Sequence, residues 1–147
     1  MRSMKNTLPR GSTLIELLMS LAILAAVTMM AIPPAAALRD RSSVRAATTE
    51  VVSALALARS AALAESRVTA IRFDSTVDRA LVLAPADTLL DLPLGSRYGV
   101  SLSFTRDSIA YGPTGRGYGA ANTTVTIRRR SAADTIVVSR LGRVRSE

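Results

Sequence analysis

The residues best equipped for chemistry in this chain are arginines near its C terminus. Arg143 and Arg145 flank Val144. In an extended C-terminal tail alternate side chains share a face, so both guanidiniums would point one way, at a spacing that follows successive phosphates. Arg140, Arg116 and the run Arg128-Arg129-Arg130 are placed to widen the patch. A guanidinium grips phosphate or carboxylate at two points, which fits an anionic partner. The other reading is that these arginines solubilise a terminal strand or pair with acids on neighbouring molecules. Neither a recognition helix nor an aromatic platform accompanies them, so base-specific reading of DNA is not expected.

Catalysis lacks its usual parts. The chain has no His and no Cys, which removes the commonest general base, the usual zinc ligands and the nucleophilic triads. Asp74 with Asp78, and Asp87 with Asp91, are too sparse for a calcium loop, and nothing near them in sequence would separate two carboxylate pKa values into an acid and a base. The glycine-rich segment from Gly112 to Gly119 lacks the GxxxxGK[ST] pattern and precedes a strand, so it reads as a turn. No enzyme, cofactor or metal is expected.

What positions the arginines begins at the other end. From Ser12 to Gly115 nine arginines balance nine acids, whereas Arg116 to Glu147 holds seven arginines against two acids. The positive field therefore belongs to the C-terminal quarter. Leu17 to Leu38 carries no charge over twenty-two residues, a helix of about the thickness of a bilayer core at ~1.5 Å per residue. Arg2, Lys5 and Arg10 precede it in the layout of an export signal, and Ala35-Ala36-Ala37 offers an ordinary signal-peptide cleavage site. Glu16 stands against that second reading, because a carboxylate at the threshold of lipid costs free energy unless it is paired.

Gly11-Ser12-Thr13-Leu14-Ile15-Glu16-Leu17 resembles the type III signal of type IV prepilins and type II secretion pseudopilins. The resemblance implies that a prepilin peptidase cuts after Gly11 and methylates the new amino group of Ser12. Ser12 departs from the Phe most often found there. Glu16 falls at the family's single acidic position, where the amino group of a neighbouring subunit's Ser12 can neutralise it, and Pro33 matches a helix-kinking proline. The leader then stays cytoplasmic, the helix is a single membrane pass through the inner membrane, and the rest lies outside. Other pilin subunits are the implied partners.

From Arg39 to about Arg67 the chain lacks Gly and Pro and reads as helix. Val44, Val51, Leu55, Ala58 and Ala62 form one apolar stripe, with Arg45, Glu50, Arg59 and Arg67 mostly wet. Beyond Ser66 the period becomes two, predicting strands at Val68–Phe73, Arg79–Ala84, Tyr98–Phe104, Ser108–Tyr111, Thr123–Arg130 and Thr135–Arg140. Pro85 and Pro93-Leu94-Gly95 mark loops. The expected fold is α+β and pilin-like, with a leader at 1–11, a membrane helix at 12–38 broken near Pro33, an amphipathic continuation at 39–67, and an antiparallel sheet or sandwich at 68–147.

The glycine-rich segment and the stretch from Val137 to Arg145 resemble the GspH/FimT family of minor pseudopilins. That likeness implies a structural subunit of a type II secretion pseudopilus or type IV pilus. Gly142-Arg143-Val144-Arg145 also matches the GRxR motif of the FimT branch, which implies DNA binding during natural transformation through Gly142, Arg143 and Arg145, helped by Arg140.

Overall fold

A computed structural model describes residues 13–118 and 122–146, except the side chains of 30–34. The proposed cleavage and methylation positions, Gly11 and Ser12, and the last glycine of the rich segment, Gly119, lie outside them. The chain divides into two units, Met1–Ala36 and Ala37–Glu147. Helix α1, Leu14–Glu65, contributes to both.

In the first unit α1 opens on Thr13. Its carbonyl accepts the N–H groups of Glu16 and Leu17 at 3.0 and 3.2 Å, and its hydroxyl lies 3.4 Å from the Glu16 nitrogen. Thr-x-x-Glu is the spacing of a capping box, and Glu16 stands in the first turn, where a carboxylate favours the helix dipole. Leu14, Ile15, Leu17, Leu18 and Leu21 are all exposed. The helix is assigned without interruption through positions 33 and 34, which corrects the break expected at Pro33. A proline removes its own N–H bond and bends a helix, but flanking residues as helix-prone as Ala and Leu can carry the backbone on. Among the described residues no helix is long and apolar enough to cross a membrane, and the side chains at 30–34, inside the apolar run, are not among those described.

In the second unit the remainder of α1 lays one face on two antiparallel sheets. All five residues of the expected stripe are buried, and Ala47 and Ala54 join them. The small residues let the helix approach closely, and burying the face supplies most of its stability. It ends at Glu65, two residues before the expected boundary, because Ser66 adopts a left-handed φ of 50° that stops helical propagation.

The strands are β1 (Thr69–Asp74), β2 (Arg79–Leu83), β3 (Thr88–Pro93), β4 (Ser101–Phe104), β5 (Ser108–Tyr111), β6 (Gly117–Tyr118), β7 (Thr123–Arg129), β8 (Ala132–Val138) and β9 (Val144–Ser146). One sheet has the order β3-β2-β1-β5-β6, the other β4-β7-β8-β9. Alternate residues of each face α1: Ile71 and Phe73, Ala80 and Val82, Ile109 and Tyr111 in the first, and Val125 and Ile127, Ile136 and Val138 in the second. Phe73 and Phe104 bring their rings to 5.9 Å between centroids, within the range of favourable aromatic pairs.

Three expectations need correction. Thr88–Pro93 is a strand where a loop was expected. It is an edge strand of which only Leu92 is buried, so alternation is weak and proline at its end is tolerated. Tyr98 ends a short helix α2, Leu94–Tyr98, closed by Gly99 at φ 62°, and does not begin β4. The terminal stretch is not a free tail, since β9 pairs with β8.

Candidate functional site

The carboxylates singled out for metal or acid/base work are engaged in structure. Asp74 Oδ1 accepts the Thr76 N–H at 2.8 Å, and that bond chiefly holds its carboxyl below the ordinary value. Asp78 Oδ1 accepts the Leu102 N–H at 2.7 Å, Asp87 caps Thr88 at 2.7 Å, and Asp91 pairs with Arg79 at 3.4 Å. The glycine-rich segment is a hairpin turn: Gly112 N–H donates to the Arg116 carbonyl at 2.9 Å and Gly115 N–H to the Gly112 carbonyl at 2.8 Å, leading from β5 into β6.

The arginines sort into two groups. Arg129 turns inward. Its Nε donates to Asp40 Oδ1 at 2.9 Å, and its Nη1 donates to Ser43 Oγ at 3.1 Å and to the Tyr98 carbonyl. Arg130 Nη1 lies 3.6 Å from the other oxygen of Asp40. The run Arg128-Arg129-Arg130 was expected to widen the anion-binding patch, and here the structure corrects the sequence: Arg129 is consumed by a buried carboxylate, because it shares the inward parity of Val125 and Ile127 in β7. Asp40 was missed. It precedes Val44 by four residues and so extends the buried stripe of α1, a signal that periodicity alone could have raised.

Arg140, Arg143 and Arg145 remain exposed, and none has an ion-pair partner among the described residues. A tight turn from Ser139 to Gly142 joins β8 to β9: Gly142 N–H donates to the Ser139 carbonyl at 2.8 Å, and Ser139 N–H to the Arg143 carbonyl at 2.8 Å. Arg143 N–H also reaches Ser139 Oγ at 3.2 Å, and Asn122 Oδ1 accepts the Arg140 N–H at 3.1 Å. The three arginines line one hollow of about 430 Å³ beside Val137 and Asn122. The alternation read from sequence thus brings Arg143 and Arg145 together, and the turn adds Arg140.

Gly142 has a structural duty. It is buried, its φ is 75°, and a Cβ there would stand 3.1 Å from Tyr111 Cε1 and 3.3 Å from the Gly115 carbonyl. The C-terminal and glycine-rich turns therefore touch at two glycines. Gly142→Ala is expected to cost ~1–3 kcal/mol through left-handed strain and crowding of the Tyr111 ring, read as a lowered midpoint in urea unfolding. An unchanged midpoint would show that the turn relaxes freely.

A family model described as type II transport protein GspH matches residues 47–142 of the chain. The chain belongs to the GspH family. That match covers the buried stripe of α1 from Ala47 onward, both sheets as far as β8, and the Gly142 turn, and it ends just before Arg143 and Arg145. A second model, the prokaryotic N-terminal methylation motif, matches residues 9–32, which contain Gly11, Ser12 and Glu16.

No curated protein matches the chain. Among solved structures it is similar to the type IV minor pilin FimU of Pseudomonas aeruginosa, with 18% identity over 75% of this chain and 92% of FimU, and a TM-score of 0.63. It is also similar to the minor pseudopilin EpsH of the Vibrio cholerae type 2 secretion system, with 13% identity over 71% of this chain and 96% of EpsH, and a TM-score of 0.58. The GspH-family chain described here therefore has the pilin-like α+β fold expected from its sequence.

Proposed function

We propose that the chain is a minor pseudopilin, a structural subunit of a type II secretion pseudopilus or a type IV pilus, that works by assembly and not catalysis. The observation that carries the reading is the joint occurrence of a methylation motif over 9–32 and a GspH-family domain over 47–142. Prepilin peptidase cuts after Gly11 and methylates Ser12. The apolar part of α1 anchors the chain as a single pass in the inner membrane before assembly and afterwards packs among the helices of other subunits. Exposed Leu14, Ile15, Leu17 and Leu18 support this, since an apolar helix surface is stable only against lipid or protein. Glu16, at the start of that surface, sets register by meeting the amino group of a neighbouring Ser12.

Mass spectrometry of the mature chain, expressed with a prepilin peptidase, tests this reading. A chain starting at methylated Ser12 is the expected result, and Gly11→Val should leave the leader attached. A start near Leu38 would return the N-terminal segment to an ordinary signal peptide and remove the filament role.

A second reading is favoured by one geometric feature: Arg140, Arg143 and Arg145 meet at one exposed hollow without carboxylate partners among the described residues. In this reading the subunit also holds DNA along its phosphates, without base preference, as a minor pilin for uptake.

A further inference from the structure

A second groove, of about 460 Å³, runs between α1 and β9. Val52, Ala56 and Leu63 form its helical wall, Val144 and its neighbours the strand wall, Tyr111 lies at its base and Arg59 at its rim. Arg143, Val144 and Arg145 all line it although alternate side chains point to opposite faces of a strand, so the groove follows the edge of β9 itself. Tyr111 is wholly buried, yet its hydroxyl meets no hydrogen-bond partner among the described residues. Burial pushes the phenol pKa up, with Arg59 acting weakly the other way, so at ordinary pH the hydroxyl keeps its proton and can donate it to an acceptor. The hydroxyl itself has no access to the open space of the groove, so the wall and rim residues carry the site.

The strand wall is unfinished. Among the described residues β9 is the outermost strand of its sheet. The Arg143 carbonyl accepts from Ser139 on β8 at 2.8 Å, and backbone direction alternates along an antiparallel strand. Val144 and Ser146 therefore turn their N–H and C=O groups to the open side, where a further strand could pair. A second copy of the same edge is a poor candidate, because pairing would set arginines against arginines. Carboxylates are the complement that Arg59, Arg143 and Arg145 select.

We propose that this groove receives an extended, acidic peptide strand of another protein, added to the edge of β9 through the backbone of Val144 and Ser146. The carboxylates of that strand meet the three arginines. The site does not depend on how the N terminus is processed, so its failure and the failure of the filament role are separable.

The test selects displayed random short peptides on the full chain in detergent micelles, then measures the recovered peptides by fluorescence anisotropy. Recovered sequences should alternate apolar with polar residues and carry Asp or Glu. Val144→Pro deletes an N–H that is not part of the β8 ladder, so the fold should persist while peptide affinity falls about tenfold. Arg59→Ala, at the rim, should weaken the peptide ~3- to 10-fold with the unfolding temperature of the free chain unchanged, since Arg59 has no ion-pair partner among the described residues. Leu63→Glu, at an exposed position of the helical wall, should repel the acidic peptide without touching the strand. Equal binding by all three variants overturns the proposal. So does recovery of no acidic sequences, self-association of the wild type that Val144→Pro abolishes, or duplex DNA binding that falls with Arg59→Ala and Val144→Pro.

Discussion

Replacing Asp40 by alanine is expected to destabilise the 37–147 unit by ~3 kcal/mol or more, because removing one partner of a buried ion pair leaves the other charge uncompensated. Asp40 is 5% exposed, and the Arg129 it faces at 2.9 Å is itself largely covered. Ser43 Oγ and the Tyr98 carbonyl would still accept from Arg129, which places the loss at the lower end of the ~3–5 kcal/mol usual for such breaks. Typical domains hold only ~5–15 kcal/mol in all. Equilibrium unfolding in urea is the measurement. Arg130→Ala, at the exposed end of the same cluster, should cost under ~1 kcal/mol. Asp40→Leu with Arg129→Met should recover much of the loss, since apolar replacement of both partners removes the desolvation cost along with the attraction. A single Asp40→Ala change of a few tenths of a kcal/mol would show that water compensates Arg129 and that the network does not hold α1 to β7.

Loss of Arg143 and Arg145 together is expected to reduce the salt dependence of duplex DNA binding by roughly two units, at ~0.9 unit per phosphate contact. Both side chains are exposed and unpaired among the described residues, so Arg143→Ala with Arg145→Ala should leave stability within ~0.5 kcal/mol, and any lost affinity is electrostatic. Binding isotherms over a salt series, with duplexes of unrelated sequence, separate the outcomes. A parent that binds all sequences alike and a variant that loses slope and affinity support the DNA-holding reading. Equal weak binding by both makes the arginines ordinary surface charge and leaves the structural filament role as the whole account. Arg129→Met belongs in the series as a contrast, because its guanidinium faces Asp40 and its removal should lower stability without changing the slope.

Much of the fold was legible before any coordinates, for identifiable reasons. The stripe of α1 is a local pattern: residues three and four apart must share a face of a helix, so Val44, Val51, Leu55, Ala58 and Ala62 were readable as a buried set. The glycine-rich hairpin was readable because few residues other than glycine accept the φ of 69° found at Gly115. Weakly patterned elements escaped. β3 buries only Leu92, and α2 is too short to show a period. Both are held by neighbours more than by their own composition: β3 by pairing with β2, and α2 by the Arg97 and Tyr98 bonds to Glu50, each 2.8 Å.

The sequence alone determined the N-terminal methylation motif that spans Gly11, Ser12 and Glu16, the helix stripe, the strand-rich remainder and the alternation that sets Arg143 and Arg145 on one side, because each is written within a few consecutive residues. Tertiary structure alone decided which arginines are available. Arg129 and Arg130 are adjacent, but only Arg129 shares the parity of Val125 and Ile127, and only packing of α1 on β7 brings Asp40 within 2.9 Å of a residue 89 positions away. It also decided that Gly142 sits on Tyr111 and that, among the described residues, the edge of β9 stays open. Local periodicity says which way a side chain points. What it meets there depends on how distant segments stack, and that is set by burying the whole core at once.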